Sequence, residues 1–526
     1  MDLIKDMNKF MNPFGVLTII FIAIFILIFF GFAQRKKFKV FGLVLTCIAI
    51  ASAFFINIFG YFKNGGFSDN LFTSDFAQIV EISYVLIFSL VLYIIIFVYN
   101  SSSINFLKTN LIFLFSIICL VFVVISKNFL AFFSSFICYN ISIFALVTSL
   151  NADATLLLKD EYKGKTSLEA QFKMSIITGR FFISSLLVTF FMFFGLSILY
   201  GVSNFKNFSQ LGEVINSYGS DISLVIIIFL FMTYLYFSLF PFQAPYIDMI
   251  KKQTISSNYV VMLFYFFPGL ILINKCSVIF YSLSPVNKSI LLIGLPILII
   301  VASFGSGATL FKTSSLRKTS SNFILLFFVG YILNLLIYLN DFIKEGDYRW
   351  LNYSILSLII ISWLPLSIIF SYLEKETGFD NIENLKLVYS KSKIVLVCLI
   401  ASFLSLIGIP GFAGFSGRST YFNLVYEIIL EGLKGSHSSQ NYLMLFIILL
   451  YLLTFIVSII KLFLVIFSRK KIFDDADIES KFNFSRPFIS LSFTFILLIF
   501  LVGIIYLLGY SNINIFNFNL ANLKLF

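Results

Sequence analysis

The sequence has few of the residues that a water-soluble surface requires. Only 12% of its 526 residues are charged, whereas 60% are hydrophobic and the mean hydropathy is +1.00. A typical soluble domain carries about a quarter charged residues, so this chain cannot cover a surface that faces water. The composition therefore excludes an ordinary soluble enzyme and is typical of a membrane protein.

Histidine, cysteine and clustered carboxylates are also scarce, which excludes most catalytic and metal sites. The one histidine is His437, in a polar loop, and the acidic residues Glu81 and Glu427 lie near helix ends, where solvation is easy. The five cysteines lie in apolar runs and form no CxxC pair: Cys47, Cys119, Cys138, Cys276 and Cys398. Such cysteines behave as small hydrophobic residues. With no glycine-rich nucleotide loop and no Ser/His/Asp arrangement, we predict no cofactor, no metal site and no catalytic residue of the soluble type.

The chain does contain a series of long apolar runs. A run of about 20 apolar residues is long enough to cross a bilayer as a helix. We place fourteen such spans at residues 15–33, 40–62, 78–99, 106–126, 128–149, 174–201, 222–243, 258–283, 289–311, 321–343, 350–373, 394–432, 442–467 and 487–510. The sequence thus predicts an all-α membrane protein of about fourteen transmembrane helices.

Two of these spans contain residues that break helices. The seventh ends at Pro241 and Pro245, and the twelfth, which is too long for one straight span, contains Gly408, Pro410 and Gly411. Proline and glycine interrupt the hydrogen bonds of a helix, so we predict that both spans are broken within the membrane. Two broken helices in different parts of one chain indicate a duplicated, transporter-like architecture.

Lysine and arginine are distributed unequally between the two membrane faces. The loops after odd-numbered spans contain 23 of the 37 basic residues, whereas the other loops and the termini contain 10. Basic loops stay on the matrix or cytoplasmic side, so we expect both termini on the opposite side. The net charge of +12 then lies mostly on one face, where it attracts anionic lipids, with cardiolipin as a candidate. We expect no nucleic-acid partner.

Four basic residues remain inside the predicted spans: Arg180, Lys275, Arg418 and Lys461. A cation at the centre of a membrane helix costs roughly 2.5–3.5 kcal/mol, and such residues are usually functional. The side chains of Arg180 and Lys275 could still reach an interface, whereas Lys461 lies near the middle of its span and Arg418 follows the break in the twelfth. We predict that Lys275, Arg418 and Lys461 are proton-path residues.

Three segments, and more weakly a fourth, resemble the antiporter-like subunit 2 of respiratory complex I. SLEAQFK at 167–173 is similar to a Ser-x-Glu-Ala element, followed by Lys, that enters helix six of that family. SLFPFQAPYID at 238–248 is similar to Ser-Leu-x-Pro-Phe-His-x-Trp-x-x-Asp at the break in helix seven. SLIGIPGFAGFSGR at 405–418 is similar to Ser-Leu-Ala-Gly-Ile-Pro-Pro-x-x-Gly-Phe-x-x-Lys in helix twelve, and SSLRK at 314–318 resembles Thr-Asn-Leu-Lys-Arg before helix ten. The order and spacing agree over most of the chain.

This resemblance implies an organisation and a function. We divide the chain into the first four helices at 1–127, a first antiporter-like bundle at 128–283, a second at 284–510 and a C-terminal tail at 511–526. The resemblance implies a membrane-arm subunit of NADH:ubiquinone oxidoreductase without a redox site of its own. It would lie in the mitochondrial inner membrane beside the other antiporter-like subunits and the small hydrophobic chains. The 71 phenylalanines against 9 prolines favour a mitochondrial, AT-rich gene.

The chain departs from this family at most of the positions that carry protons. The family path uses a Glu on helix five, a Lys on each of helices seven and eight, and a Lys or Glu on helix twelve. Alignment places Cys138, or a neighbour, at the Glu position, and Gln243 replaces a His beside the break in helix seven. Tyr236 takes the helix-seven Lys position and Phe266 lies near the helix-eight Lys position. Arg418 keeps a cation, but arginine cannot exchange a proton as lysine does.

Two hypotheses about the role of the chain follow. The usual Glu–Lys relay is lost and the chain acts as a scaffold for proton translocation, or the relay is rerouted through Lys275, Arg418 and Lys461. An alternative function is a stand-alone secondary transporter or a subunit of an Mrp-type cation/proton antiporter. A third is an unrelated polytopic scaffold or lipid-handling protein.

Overall fold

The computed structural model is nearly all helical. It describes residues 2–31, 36–64, 67–68, 71–99, 106–154, 167–203, 207, 236, 238–239, 242–252, 267–275, 285–340, 352–353, 355, 359–377, 380–433, 439–468 and 484–510. Two-residue strands at Phe67–Ser68 and Thr73–Ser74 pair antiparallel between the second and third helices. The prediction of an all-α membrane protein is confirmed.

Sixteen α-helices lie in the described part of the chain. Their bounds are α1 Asp2–Gly31, α2 Lys36–Asn64, α3 Phe76–Tyr99, α4 Phe106–Ile125, α5 Phe129–Ala154, α6 Ser167–Ser203, α7 Ala244–Lys252, α8 Phe267–Lys275, α9 Pro285–Lys312, α10 Leu316–Leu339, α11 Leu364–Thr377, α12 Leu385–Lys391, α13 Lys393–Ile407, α14 Ser419–Leu433, α15 Ser439–Ile466 and α16 Arg486–Tyr510. A π-helical turn, Ile359–Trp363, precedes α11. Among the described residues, 9 helices are long and apolar enough to cross a membrane, and shorter apolar helices lie at Phe14–Phe29, Ile361–Glu374 and Lys393–Ile407.

These helices follow the predicted spans. The nine long ones correspond to spans two to six, nine, ten, thirteen and fourteen, and the three shorter ones to spans one, eleven and twelve. Helix α8 is the described portion of the eighth span, whereas α7 begins just beyond residue 243, where the predicted seventh span ends. The chain is therefore a multi-pass membrane protein, as the apolar runs predicted.

The chain divides into two compact units. Unit 1 comprises Met1–Phe237 and Asp248–Asn287, and unit 2 comprises Ser238–Ile247 and Lys288–Phe526. In unit 1, helices α1 to α6 pack against their neighbours in sequence, and α8 packs against α4. In unit 2, α10 is buried along its whole length, against α11 and α15 among other elements. The four-segment division that the sequence suggested stays a prediction.

The twelfth span is broken, as predicted. Helix α13 ends at Ile407, and Gly408 closes it with a left-handed φ of +87°. The chain passes the exposed Pro410 and then Gly411, whose φ is +95°, before α14 begins eight residues after Gly411, at Ser419. Only glycine adopts such φ angles readily, so these glycines permit the sharp turn between α13 and α14.

The seventh span is also broken in the described residues. Ser238 has a φ of +49°, which is unusual for a residue with a side chain, and α7 begins only at Ala244. Pro245 occupies the first turn of α7, where a missing backbone N–H costs nothing. Pro241, the other predicted breaking residue, lies outside the described residues.

Candidate functional site

The buried centre of unit 2 is the side chain of Arg418. It follows the break in the twelfth span and is only 1% exposed. Its guanidinium carbon lies 4.0 Å from the centroid of the Phe455 ring and 5.4 Å from that of Tyr451, both on α15. Within the described residues, none of its three guanidinium nitrogens has a hydrogen-bond partner. Arg418 is therefore a buried cation held by aromatic faces rather than by a carboxylate.

The position of this side chain depends on Gly408. A Cβ atom on Gly408 would lie 2.6 Å from the Cδ atom and 2.9 Å from the Cβ atom of Arg418. These distances are shorter than carbon–carbon contact allows, so the glycine that turns the chain also makes room for the cation. The glycine-rich motif thus positions Arg418, although the sequence showed only that a helix break was present.

A series of hydrogen bonds between uncharged side chains lies beside Arg418. The Tyr421 hydroxyl donates to the Asn334 side-chain oxygen at 2.6 Å, and the Asn334 amide donates to Asn352 at 2.9 Å. The Tyr421 ring also makes an edge-on contact with Tyr451, with 5.8 Å between centroids. All of these groups are neutral, so Arg418 is the one charged member of this cluster in the described part of unit 2.

Unit 1 contains a similar neutral pair beside the break in the seventh span. The Tyr236 hydroxyl donates to the Asn140 side-chain oxygen at 3.4 Å, and the Asn140 amide donates to Thr189 on α6 at 3.2 Å. Tyr236 and Asn140 are both buried. Beside the break in the seventh span, the structure thus has an uncharged tyrosine–asparagine hydrogen bond.

The alignment had placed Cys138 or a neighbour at the helix-five position. The structure selects the neighbour, because Cys138 is exposed on α5 whereas Asn140, two residues later, points to Tyr236. A small cavity also adjoins Asn140, with Thr178 and Ser185 of α6 among its lining residues. Gln243, which replaces the family His, is buried, and Phe266 lies outside the described residues.

The two predicted proton-path lysines both bind backbone carbonyls at helix ends. Lys275, half-buried at the end of α8, donates to the carbonyl oxygens of Val124 at 2.8 Å and Ser126 at 2.5 Å. Lys461, half-buried on α15, donates to those of Leu310 at 2.9 Å and Thr313 at 2.5 Å. The carbonyl end of a helix carries partial negative charge, so a lysine there is stabilising.

The structure brings together only some of the predicted cations. Arg418 packs on Phe455 of α15, and Lys461 belongs to the same helix. Lys461 lies six residues beyond Phe455, or roughly 9 Å along the helix axis. Lys275 belongs to unit 1, where it binds the carbonyls of Val124 and Ser126. Arg180 is exposed on α6, which agrees with a side chain that reaches the interface.

Two buried acidic residues were not anticipated. Glu81 on α3 was expected to be solvated, but it is 7% exposed and accepts a hydrogen bond of 3.1 Å from Asn274, so that expectation was wrong. Glu374 at the end of α11 forms a buried ion pair with Arg317, which the sequence had assigned to a solvated loop. Glu427 is exposed, as expected.

Comparison of the sequence with models of known protein families and with curated proteins finds no match. Solved structures, in contrast, resemble the chain along nearly its whole length. A chain of respiratory complex I from Thermus thermophilus with bound aureothin has a TM-score of 0.64 at 15% identity, covering 93% of this chain and 96% of that chain. A chain of the membrane-bound sulfane sulfur reductase, an archaeal respiratory membrane complex, has a TM-score of 0.65 at 14% identity, covering 94% of each. A chain of the Mrp complex from Dietzia sp. DQ12-45-1b has a TM-score of 0.68 at 13% identity, covering 96% and 95%.

This protein has the antiporter-like fold. At 13–15% identity the likeness establishes the fold and not the activity. The polar groups that the sequence failed to single out, Asn140 and Asn334, had one available signal, which is an asparagine inside an apolar span. Such residues are costly in lipid and usually face a partner within the bundle.

Proposed function

We propose that this chain is a membrane-arm subunit of a respiratory NADH:ubiquinone oxidoreductase of the complex I type, related to subunit 2. The observation that carries the proposal is the antiporter-like fold over 93% of the chain, shared with a chain of respiratory complex I. The segment at 167–173 favours subunit 2 among the antiporter-like chains, whereas the segment at 405–418 resembles the sister subunits in part as well. Its environment would be the mitochondrial inner membrane, with other membrane-arm subunits as partners.

Within such an assembly, we propose that the chain supports proton translocation as a scaffold. The tyrosine–asparagine pair of unit 1 supplies no group that ionises in the neutral range, and Arg418 in unit 2 stays protonated. A proton relay needs groups that both accept and release a proton. Neither broken span offers one among the residues described at its centre, which favours the scaffold over the rerouted relay.

A native gel tests the assembly. The tagged chain, solubilised with its membrane in mild detergent, is expected to migrate with NADH-oxidising activity, and a tag on a known membrane-arm subunit provides the reference. Migration in a smaller complex without that activity, together with sodium-dependent proton exchange in vesicles, would favour the Mrp-type alternative. That alternative has support from the structural likeness to a chain of the Mrp complex.

Proton pumping tests the scaffold role. Replacing Arg418 by Met removes the cation at the twelfth break, and the scaffold role predicts an unchanged number of protons pumped per electron. The matched control is Arg180→Met, which removes an exposed cation from α6. A pumping ratio that falls in Arg418→Met but not in Arg180→Met would favour the rerouted relay instead.

A further inference from the structure

Lys275 and Lys461 make the same kind of contact in their two units. Each ammonium group binds two backbone carbonyls in the last turn of a long helix and the residues just after it. Lys275 lies 151 and 149 residues beyond its two acceptors. Lys461 lies 151 and 148 residues beyond its acceptors. Contacts that recur at one separation support the duplicated architecture that the two broken spans predicted.

In each unit, the bound carbonyls belong to the turn before a particular helix. Val124 and Ser126 precede α5, which begins at Phe129, and α5 carries the asparagine of the unit 1 pair. Leu310 and Thr313 precede α10, which begins at Leu316. Helix α10 carries Asn334, which accepts the hydrogen bond from Tyr421 in unit 2. The two lysines therefore hold equivalent turns, each at the start of the helix that presents the buried amide.

The carbonyl acceptors favour one of two roles for these lysines, anchoring of the turn rather than proton carriage. An amide carbonyl accepts a hydrogen bond but cannot take up the proton, so a relay cannot pass from lysine to these partners. The same carbonyls lack an intrahelical partner at a helix end, and an ammonium group supplies one while offsetting the helix dipole. The geometry favours anchoring of the turn.

We propose that Lys275 and Lys461 are equivalent positioning residues, each of which fixes the turn before the helix that carries its unit's tyrosine–asparagine hydrogen bond. This inference is independent of the complex to which the chain belongs. The sequence predicted both Lys275 and Lys461 as proton-path residues, and the inference gives both a positioning role. The two carbonyls that each lysine binds belong to the same unit as that lysine.

Hydrogen exchange in the assembled, detergent-solubilised protein tests the anchoring. Lys461→Met is expected to raise amide exchange across 310–316 about tenfold, a factor that corresponds to roughly 1.4 kcal/mol. Lys275→Met is expected to do the same across 124–129. The matched controls are Lys312→Met and Lys108→Met, which remove exposed lysines from α9 and α4 and should change exchange less than twofold. Equal effects of Lys461→Met and Lys312→Met would overturn the proposal.

Arginine substitution separates anchoring from proton carriage. Arg at either position still donates to the carbonyls but does not release a proton at neutral pH. Lys275→Arg and Lys461→Arg should therefore restore exchange to within about twofold of the parent protein and leave ion transport by the assembly unchanged. Loss of transport in the arginine variants, with normal exchange at the turns, would show that the lysines carry protons and would overturn the positioning role.

Discussion

Replacing Arg418 by Met should stabilise the protein. A cation over an aromatic face gains roughly 2 kcal/mol when it is desolvated, and the Phe455 ring at 4.0 Å supplies that contact. Burial of the ion costs several kcal/mol, and within the described residues no hydrogen bond offsets this cost. Methionine fills a similar shape, stays apolar and keeps contact with the rings. We expect a net gain of about 1–3 kcal/mol, in the range found when buried ions are replaced by hydrophobic side chains.

Thermal unfolding of the solubilised protein measures this gain. A thiol-reactive dye reports unfolding as labelling above the level that the exposed Cys138 gives in the folded state, because burial protects Cys119 and Cys398 until the protein unfolds. The midpoint should rise in Arg418→Met and stay within about one degree in Arg180→Met, whose side chain is exposed on α6. The control removes the same charge without changing the buried cluster.

A fall in the midpoint of Arg418→Met would refute the reasoning. Removing one member of a buried ion pair typically costs 3–5 kcal/mol, so a large destabilisation would mean that the guanidinium is paired with an anionic group. The sign of the change therefore distinguishes an arginine held by aromatic rings from one held by a counter-charge. Activity measurements alone would not separate these states.

Three further changes test the surrounding contacts. Gly408→Ala should destabilise unit 2 by more than about 1 kcal/mol in thermal unfolding, because its positive φ and the overlying arginine both exclude a Cβ atom. Tyr421→Phe should cost about 1–3 kcal/mol by leaving Asn334 without its donor, and the neighbouring exposed Phe422 offers Phe422→Leu as a control that stays within about 0.5 kcal/mol. Glu374→Gln should cost about 1–3 kcal/mol, because it removes the carboxylate charge that pairs with the buried Arg317, and assembly measured on native gels should fall accordingly.

The helices were predictable because the physics of lipid is simple. Apolar side chains must cover a long helix wherever hydrocarbon replaces water, so hydropathy alone located the spans. The break at Gly408 was predictable for a similar reason, because glycine and proline interrupt helical hydrogen bonding. Arg418 could be singled out because an ion inside an apolar run has few structural explanations.

The contacts of the site were not predictable from the sequence. Cys138 and Asn140 differ by two residues, which is more than half a helical turn, so a small alignment shift exchanges an exposed side chain for a buried one. Lys275 and Lys461 find acceptors about 150 residues away, and no local pattern records such a contact. Glu81 lies near a helix end in sequence, but the packing of α8 on α4 brings Asn274 to it.

The low dielectric of the bundle explains why neutral pairs recur beside both breaks. An ion pair in this setting recovers its desolvation cost only with excellent geometry, whereas a buried tyrosine–asparagine pair has a smaller desolvation cost, which its hydrogen bond offsets. The pairs at Tyr236 and Tyr421 therefore satisfy polar groups beside an interrupted helix without introducing an exchangeable charge. Each broken span thus combines a stable helix break with a neutral pair among its described residues. The proposed scaffold role requires that combination. A working relay would instead need titratable groups in the bundle, and burying their charge would lower the stability of the protein.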